Sequence, residues 1–195
     1  MTFTSKTSVL MAGAALFALS VGAQAAAGWT SLVDGTQANM NNFTPTGDVQ
    51  WRAVDGALQS DTGAGFLVTK NSYRDFQIRA EVWVSDDANS GIVIRCSNPA
   101  MPGAMTCYEV NLYDMRPEPE YGTGAIVNYA RVDPMPKAGG KWNVLEIEAR
   151  GPQLTVRLNG TQTASVRDEK FAAGPFALQR TAGLVRFRKV EVRPL

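Results

Sequence analysis

The feature that most constrains the fold of this sequence is a strict two-residue alternation of side-chain character over residues 76–84. Successive side chains of an extended chain point to opposite sides, so this pattern predicts a β-strand with one buried face and one accessible face. The apolar face carries Phe76, Ile78, Ala80, Val82 and Val84, and the accessible face carries Gln77, Arg79, Glu81 and Trp83.

Shorter runs of the same kind follow along the chain, separated by Gly- and Pro-containing turns. They cover residues 91–95, 108–114, 144–149, 154–158, 176–179 and 184–192. Asn159-Gly160 predicts a tight hairpin, since both residues tolerate positive φ. Asp34–Thr46 and Met115–Lys141 are predicted loops. No run of ten residues has helical apolar spacing, so the sequence predicts an all-β antiparallel β-sandwich forming one domain.

The N-terminal segment has the pattern of an export signal. Lys6 precedes an apolar run from Val9 to Val21, and Ala23-Gln24-Ala25 then offers a small-x-small cleavage site. Residues 1–25 are thus a predicted signal peptide, with residues 26–195 as the mature domain in the periplasm or outside the cell. A membrane anchor is the alternative, but the run is shorter than the roughly 20 residues that span a bilayer. No later segment has the character of a membrane span.

Composition excludes several classes of function. The chain has 195 residues, 19 Lys+Arg against 18 Asp+Glu, and no histidine. Ser-His-Asp and Cys-His catalysis, and metal sites that need imidazole ligands, are therefore excluded. Near-zero net charge without a basic cluster argues against nucleic-acid binding. Catalysis or binding must depend on carboxylates, amides, arginine and aromatic rings.

Two further local patterns concern covalent and metal chemistry. Cys96 and Cys107 are close enough in sequence to form a disulfide around a short loop, and export would permit it; a buried reduced pair is the alternative. Asp86, Asp87 and Asn89 could supply oxygen ligands to Ca²⁺, although a simple Asp/Asn-rich turn explains the same residues. Both alternatives remain open from the sequence.

Polar and aromatic side chains on neighbouring predicted strands suggest a binding face. If these strands share one sheet, the side chains that converge are Glu81, Trp83, Arg95, Glu109, Asn111 and Tyr113. Carboxylates and amides would bond to sugar hydroxyls, while aromatic rings would cover the apolar face of a sugar. The alternative is a solvated strand face with Glu81 and Arg95 as an ordinary ion pair.

A series of short phrases, in order over about residues 29–195, resembles the 3-keto-disaccharide hydrolase domain family. The phrases include Ser31–Gly35, Trp51–Leu58, Phe66–Lys70, Tyr73–Phe76, Asn89–Ile92, Tyr108–Asn111, Thr123–Ile126, Trp142-Asn143, Ala149–Pro152, Leu158–Gly160, Leu178-Gln179 and Arg186–Arg188. The resemblance implies a concanavalin-like (lectin/glucanase) β-sandwich that is exported and acts on sugars, in some members on glycosides oxidised at C3.

The resemblance and the shared strand face together assign roles. Glu109 is the expected general base and Arg95 the group that stabilises negative charge, with Glu81, Trp83, Asn111, Tyr113 and Gln179 binding the substrate. Family members commonly carry His-Gly-Gly-like residues after Leu-Gln. Here Leu178-Gln179 is followed by Arg180-Thr181-Ala182-Gly183, a departure from that pattern.

Three other functions compete with a 3-keto-glycoside hydrolase or lyase. One is a non-catalytic carbohydrate-binding or envelope module. Another is a retaining β-glucanase, in which Glu109, Asn111 and Asp114 would occupy the carboxylate positions of a Glu-x-Asp-x-x-Glu strand, two of them changed. The third is a structural protein whose partner binds the loop of residues 115–141.

Overall fold

The computed structural model describes Met1 and residues 28–195, so the predicted signal peptide lies outside the described residues apart from Met1. Within that part of the chain there are thirteen β-strands and one short 3-10 helix. In chain order they are β1 Thr30–Val33, the 3-10 helix Gln37–Asn42, β2 Phe43–Gly47, β3 Gln50–Val54, β4 Ala57–Thr62, β5 Gly65–Thr69, β6 Phe76–Val84, β7 Asn89–Ile94, β8 Tyr108–Leu112, β9 Trp142–Arg150, β10 Gln153–Leu158, β11 Thr161–Arg167, β12 Ala177–Ala182 and β13 Val185–Pro194.

The strands form two antiparallel sheets, which confirms the predicted all-β sandwich. One sheet has the order β11-β10-β9-β6-β13-β4-β3, with β1 paired to β13. The other has the order β2-β5-β12-β7-β8. Among the described residues, no helix is long and apolar enough to cross a membrane.

Alternation places one side of each strand in the core between the sheets. Ile78 and Val82 of β6, Ile92 of β7, Leu178 of β12 and Phe187 of β13 are all buried in this cluster. Each such side chain contributes about 1.5–3 kcal/mol through removal of apolar surface from water. The intervening residues of every strand therefore face outward, on one of two opposite outer faces.

The predicted hairpin and one predicted loop are found, and the other loop prediction is partly wrong. Asn159 and Gly160 have φ of 52° and 82° and join β10 to β11. Residues 115–141 contain isolated bridges but no strand or helix. Residues 34–46, however, include the 3-10 helix and most of β2. Pro45 is tolerated in β2 because β2 is an edge strand, where a missing N–H need not break a ladder.

Arg95 ties together loops at one end of the sandwich. It is 1% exposed, and its φ of +51° ends β7. Nε and Nη2 donate to the carbonyl of Arg74, Nη1 to the carbonyls of Gly151 and Phe171, and Nη2 also to Asp75 Oδ1 at 3.1 Å. With its N–H groups committed to these partners, the guanidinium is a structural element of the fold.

This arrangement predicts a large stability loss for Arg95→Met. The variant leaves the Arg74 and Gly151 carbonyls without their donor and Asp75 without its cation, so unfolding free energy should fall by about 3 kcal/mol. Urea unfolding monitored by tryptophan fluorescence measures it. Arg167→Met removes an exposed arginine and should change stability by less than about 0.5 kcal/mol. Equal effects of the two substitutions would contradict the structural role.

Candidate functional site

The outer face of the five-stranded sheet carries the residues with the most distinctive chemistry. Strand register aligns two rows of outward side chains across β2, β5, β12, β7 and β8. One row is Thr46, Phe66, Gln179, Gly91 and Asn111, and the other is Thr44, Val68, Ala177, Val93 and Glu109.

Glu109 and Gln179 are joined across strand β7. The Gln179 amide Nε2 donates to Glu109 Oε1 at 2.9 Å. Between them lies Gly91, and a Cβ at that position would stand 3.2 Å from Gln179 Oε1 and 2.3 Å from the Val110 carbonyl oxygen. The absence of a side chain at Gly91 therefore lets Gln179 reach over β7 to the carboxylate.

Burial tunes the Glu109 carboxyl group. Desolvation raises its pKa above the ordinary value, while the hydrogen bonds from Gln179 and from the backbone of Ala104 partly oppose the shift. A raised pKa makes a carboxylate a stronger base once it is ionised. This is the property expected of a proton-abstracting group, and it distinguishes Glu109 from a surface glutamate.

A small apolar cluster lies beside this pair on the same outer face. Its buried members are Val68, Val93, Cys96, Cys107 and Ala177, with Phe66 packed against them. Cys96 and Cys107 form a disulfide that closes the loop of residues 97–106. The disulfide thus anchors this loop next to Glu109, because Cys107 lies in the outer cluster just before β8, two residues ahead of Glu109.

A cavity of about 720 Å³ opens over β2 and β5. It is lined by side chains that include Thr44, Thr46, Val68 and Lys70, and by Pro99 and Ala100 of the loop. Strand β5 is three strands from β8, which corresponds to about 14 Å at ordinary strand spacing. The cavity and Glu109 therefore mark two ends of one elongated surface.

Two polar atoms on this surface have no partner. Thr46 Oγ1 and Gln179 Oε1 are both buried, and neither makes a hydrogen bond among the described residues. Thr46 and Gln179 are the register neighbours of Phe66 in the same row, with the Gln179 amide extending away from Phe66 over β7. Buried polar atoms are normally satisfied, so these two atoms are unused hydrogen-bonding capacity on this face.

The predicted convergence of Glu81 and Trp83 with Glu109 is wrong. Both residues lie on β6, in the eight-stranded sheet, so they face outward on the opposite side of the sandwich. Arg95 does not join Glu109 either, because its positive φ ends β7 and its guanidinium binds the loops described above. Alternation separates the two faces of β6 and of β8 correctly, but it does not tell which strands share a sheet.

The remaining predicted residues have mixed positions. Asn111 shares the face of Glu109, but its amide donates to the Tyr121 carbonyl and its Oδ1 accepts from the Leu112 N–H. Tyr113 lies just beyond β8, with the guanidinium carbon of Arg116 5.9 Å from its ring centroid. Asn111 thus serves chiefly to hold the neighbouring loop, while Gln179 directly contacts Glu109.

The calcium prediction finds no preformed ligand set in the described part of the chain. No group of three or more His, Cys, Asp or Glu side chains is clustered there. Asp87 accepts a hydrogen bond from the Ser85 hydroxyl, as expected for a turn. Asp114, the other carboxylate of the β-glucanase pattern, accepts from the backbone amides of Ala138 and Gly139, so its role is to hold a loop.

Sequence reasoning did not assign site roles to Thr46, Phe66 or Lys70. Thr46 lies in a segment predicted to be a loop, and Phe66 and Lys70 lie in a phrase that supports only the family resemblance. Leu67 lies in the core between the sheets, whereas Phe66 and Val68 face outward. Because all three residues are apolar, the sequence shows no alternation that would reveal this outer face.

Comparison with known proteins identifies the class. Residues 28–193 match the model of the 3-keto-alpha-glucoside-1,2-lyase-like domain. The chain therefore belongs to this family, which confirms the predicted resemblance. No curated protein matches the sequence.

Solved structures share the fold. A protein of Parabacteroides distasonis, provisionally described as a glycosyl hydrolase, superposes with a TM-score of 0.76 at 19% identity, covering 86% of this chain and 94% of that one. The carbohydrate-binding module CBM66 of Bacillus subtilis superposes with a TM-score of 0.61 at 18% identity, covering 85% and 95%. The concanavalin-like sandwich is thereby confirmed, and family and fold together indicate a carbohydrate-active, glycosyl hydrolase-like or carbohydrate-binding protein.

The Glu109–Gln179 contact predicts a measurable change in acidity. In Gln179→Leu the carboxylate loses a donor that stabilises its charged form, so the pKa of Glu109 should rise further. NMR titration of ¹³C-labelled glutamate side chains measures it. Thr46→Val, on the same face but remote from the carboxylate, should leave this titration unchanged. A lower pKa in Gln179→Leu would contradict the assignment.

Burial of Glu109 also predicts that Glu109→Gln is more stable than the wild type near neutral pH. The folded pKa lies above the unfolded one, so the folded state binds more protons between them and wild-type stability falls as pH rises through that window. Glutamine does not titrate, and the advantage should disappear below about pH 4, the unfolded range. Urea unfolding at both pH values measures it.

The matched control for that comparison is Glu169→Gln, which removes an equal charge from an exposed position. The change in unfolding free energy of Glu169→Gln measures the general effect of removing one negative charge. A stability difference for Glu109→Gln that is independent of pH, or no larger than the control, would contradict the burial effect.

Proposed function

We propose that this protein is exported and cleaves 3-keto-glycosides by β-elimination, with Glu109 as the general base. The observation that carries the proposal is the half-buried Glu109 carboxylate, its pKa raised by burial and its orientation fixed by Gln179. Membership of the lyase-like family supports the substrate class. The disulfide supports export, because such bonds persist in oxidising compartments.

The reaction follows from the acidity of the sugar. A ketone at C3 acidifies the hydrogen on C2, and Glu109 removes that proton. The electron pair of the C2–H bond forms the C1=C2 double bond while the C1–O bond breaks, and the leaving alkoxide takes up a proton. Protonated Glu109 can return the proton to this oxygen, and water can later add across the double bond to complete hydrolysis.

The rest of the surface suits the sugar. A disaccharide lying across the strands would place its oxidised ring at Glu109 and its second ring toward the cavity over β5. Phe66 offers an apolar surface to a pyranose ring, and the unpartnered Thr46 Oγ1 and Gln179 Oε1 can bond to hydroxyls. Lys70 lines the cavity and provides a cation at the far end.

A direct assay tests this proposal. We expect release of 4-nitrophenol from 4-nitrophenyl 3-keto-α-glucoside and none from the unoxidised glucoside, which lacks the acidified C2 hydrogen. Glu109→Gln should lower kcat by at least about 100-fold, the usual effect of losing a general base. Thr46→Val should mainly raise KM. The rate should increase with pH through the pKa of Glu109.

A binding-only function is the second candidate, favoured by the unpartnered polar atoms of Thr46 and Gln179 and by the likeness to a carbohydrate-binding module. Calorimetric binding of an unoxidised oligosaccharide, without turnover of the keto substrate, would support it. Two results would reject Glu109-dependent catalysis. One is release of 4-nitrophenol by folded protein no faster than the spontaneous rate, and the other is an equal rate for wild type and Glu109→Gln.

A further inference from the structure

A second concave site lies on the outer face of the eight-stranded sheet. It is a cleft of about 280 Å³ whose walls include Trp29, Gln77, Arg79, Glu146, Glu148, Arg157 and Arg193. We call it the Trp29 cleft. Because it faces away from the five-stranded sheet, it is separated from Glu109 by the full thickness of the sandwich.

The side chains of the cleft are held in place by one another. The guanidinium carbons of Arg79 and Arg193 lie 5.3 and 4.9 Å from the centroid of the Trp29 ring. Arg79 Nε donates to Glu146 Oε1 at 3.2 Å, and Gln77 donates to Glu148. Such mutual bonding orders the cleft before any ligand arrives.

Two arginines of the Trp29 cleft have hydrogen-bond donors that are not used within the part of the protein that the structure describes. Arg193 Nε is buried and has no hydrogen-bond partner among the described residues. Arg157 is exposed and makes no ion pair or side-chain hydrogen bond within the described chain. These donors stand beside the carboxylates of Glu146 and Glu148, whose side chains are 34% and 31% exposed.

The mixture of donors and acceptors defines the ligand chemistry. The cleft walls carry three arginines and two glutamates, so hydrogen-bond donors and acceptors stand side by side. A hydroxyl group both donates and accepts, so a polyhydroxylated ring can bond to arginine and glutamate at once. We propose that the Trp29 cleft is a second binding site, for a neutral sugar ring, on the face of the sandwich opposite Glu109.

The cleft is suited to binding and not to hydrolysis. Glu146 and Glu148 are two residues apart on β9 and therefore lie on the same face of the strand, as a pair of catalytic carboxylates would. One member of such a pair must be protonated to act as an acid. The hydrogen bond from Gln77 lowers the pKa of Glu148, with nearby arginines adding to the effect, and Glu146 is paired with Arg79. Glu148 is therefore suited to accept hydrogen bonds, as Glu146 does from Arg79.

Tryptophan indole signals provide a local readout in ¹⁵N-labelled full-length protein. The chain has four tryptophans, and Trp29→Phe assigns the signal of Trp29. Methyl glycosides of glucose, galactose and mannose are the neutral probes, with glucuronate and glucosamine as charged probes of the same size. We expect at least one neutral probe to shift the Trp29 signal in a saturable manner, and the charged probes to bind more weakly.

Variants separate this site from the opposite face. Arg157→Ala should raise the Kd of the neutral probe about tenfold, as expected for losing a hydrogen bond to a charged group. The matched control Arg167→Ala, also an exposed arginine, and Glu109→Gln should leave the Kd unchanged. No saturable Trp29 shift, preference for a charged probe, an unchanged Kd in Arg157→Ala, or loss of binding in Glu109→Gln would each overturn the proposal.

Discussion

Strand β7 is buried on both of its faces, and the arrangement of the candidate site depends on that constraint. Ile92 and Ile94 lie in the core between the sheets, while Val93 lies in the outer apolar cluster with the disulfide. A polar contact across this strand can form only where no side chain stands in the way. Gly91 provides that position, so the contact between Glu109 and Gln179 is set by the packing of a strand to which neither residue belongs.

The bounds of a strand could be predicted from the sequence because they depend on local side-chain pattern, whereas strand pairing depends on contacts between distant residues. Residues 76–84 alternate because each side chain responds to its own environment, and β6 has the predicted bounds. Strand pairing is different, since β6 and β8 have similar patterns but lie in different sheets. The alternating pattern around Glu81 or Glu109 does not indicate which strand is hydrogen-bonded to the strand that carries it. The predicted site was therefore assembled from two faces that point in opposite directions.

The remaining errors have equally specific causes. Alternation predicts that Arg95 lies on the face opposite Ile92 and Ile94, but its left-handed backbone conformation ends the alternation and directs the guanidinium to Asp75 and the loop carbonyls. The sequence does not predict that Thr46 lies in a strand, because the adjacent Pro45 is typical of a loop. Phe66 follows Gly65, which weakens the strand signal at that point. These departures concern strand ends and edges, where alternation carries the least information.

The two predicted glutamates show how neighbours decide function. Glu81 forms an ion pair with Arg188 on a face that water can reach. Glu109 has no cationic partner among its described contacts, and burial opposes its charge. A neutral side chain there would be compatible with the same packing and would remove the cost of an ionised carboxylate. A carboxylate kept at such a position is explained by proton transfer or ligand binding more readily than by stability.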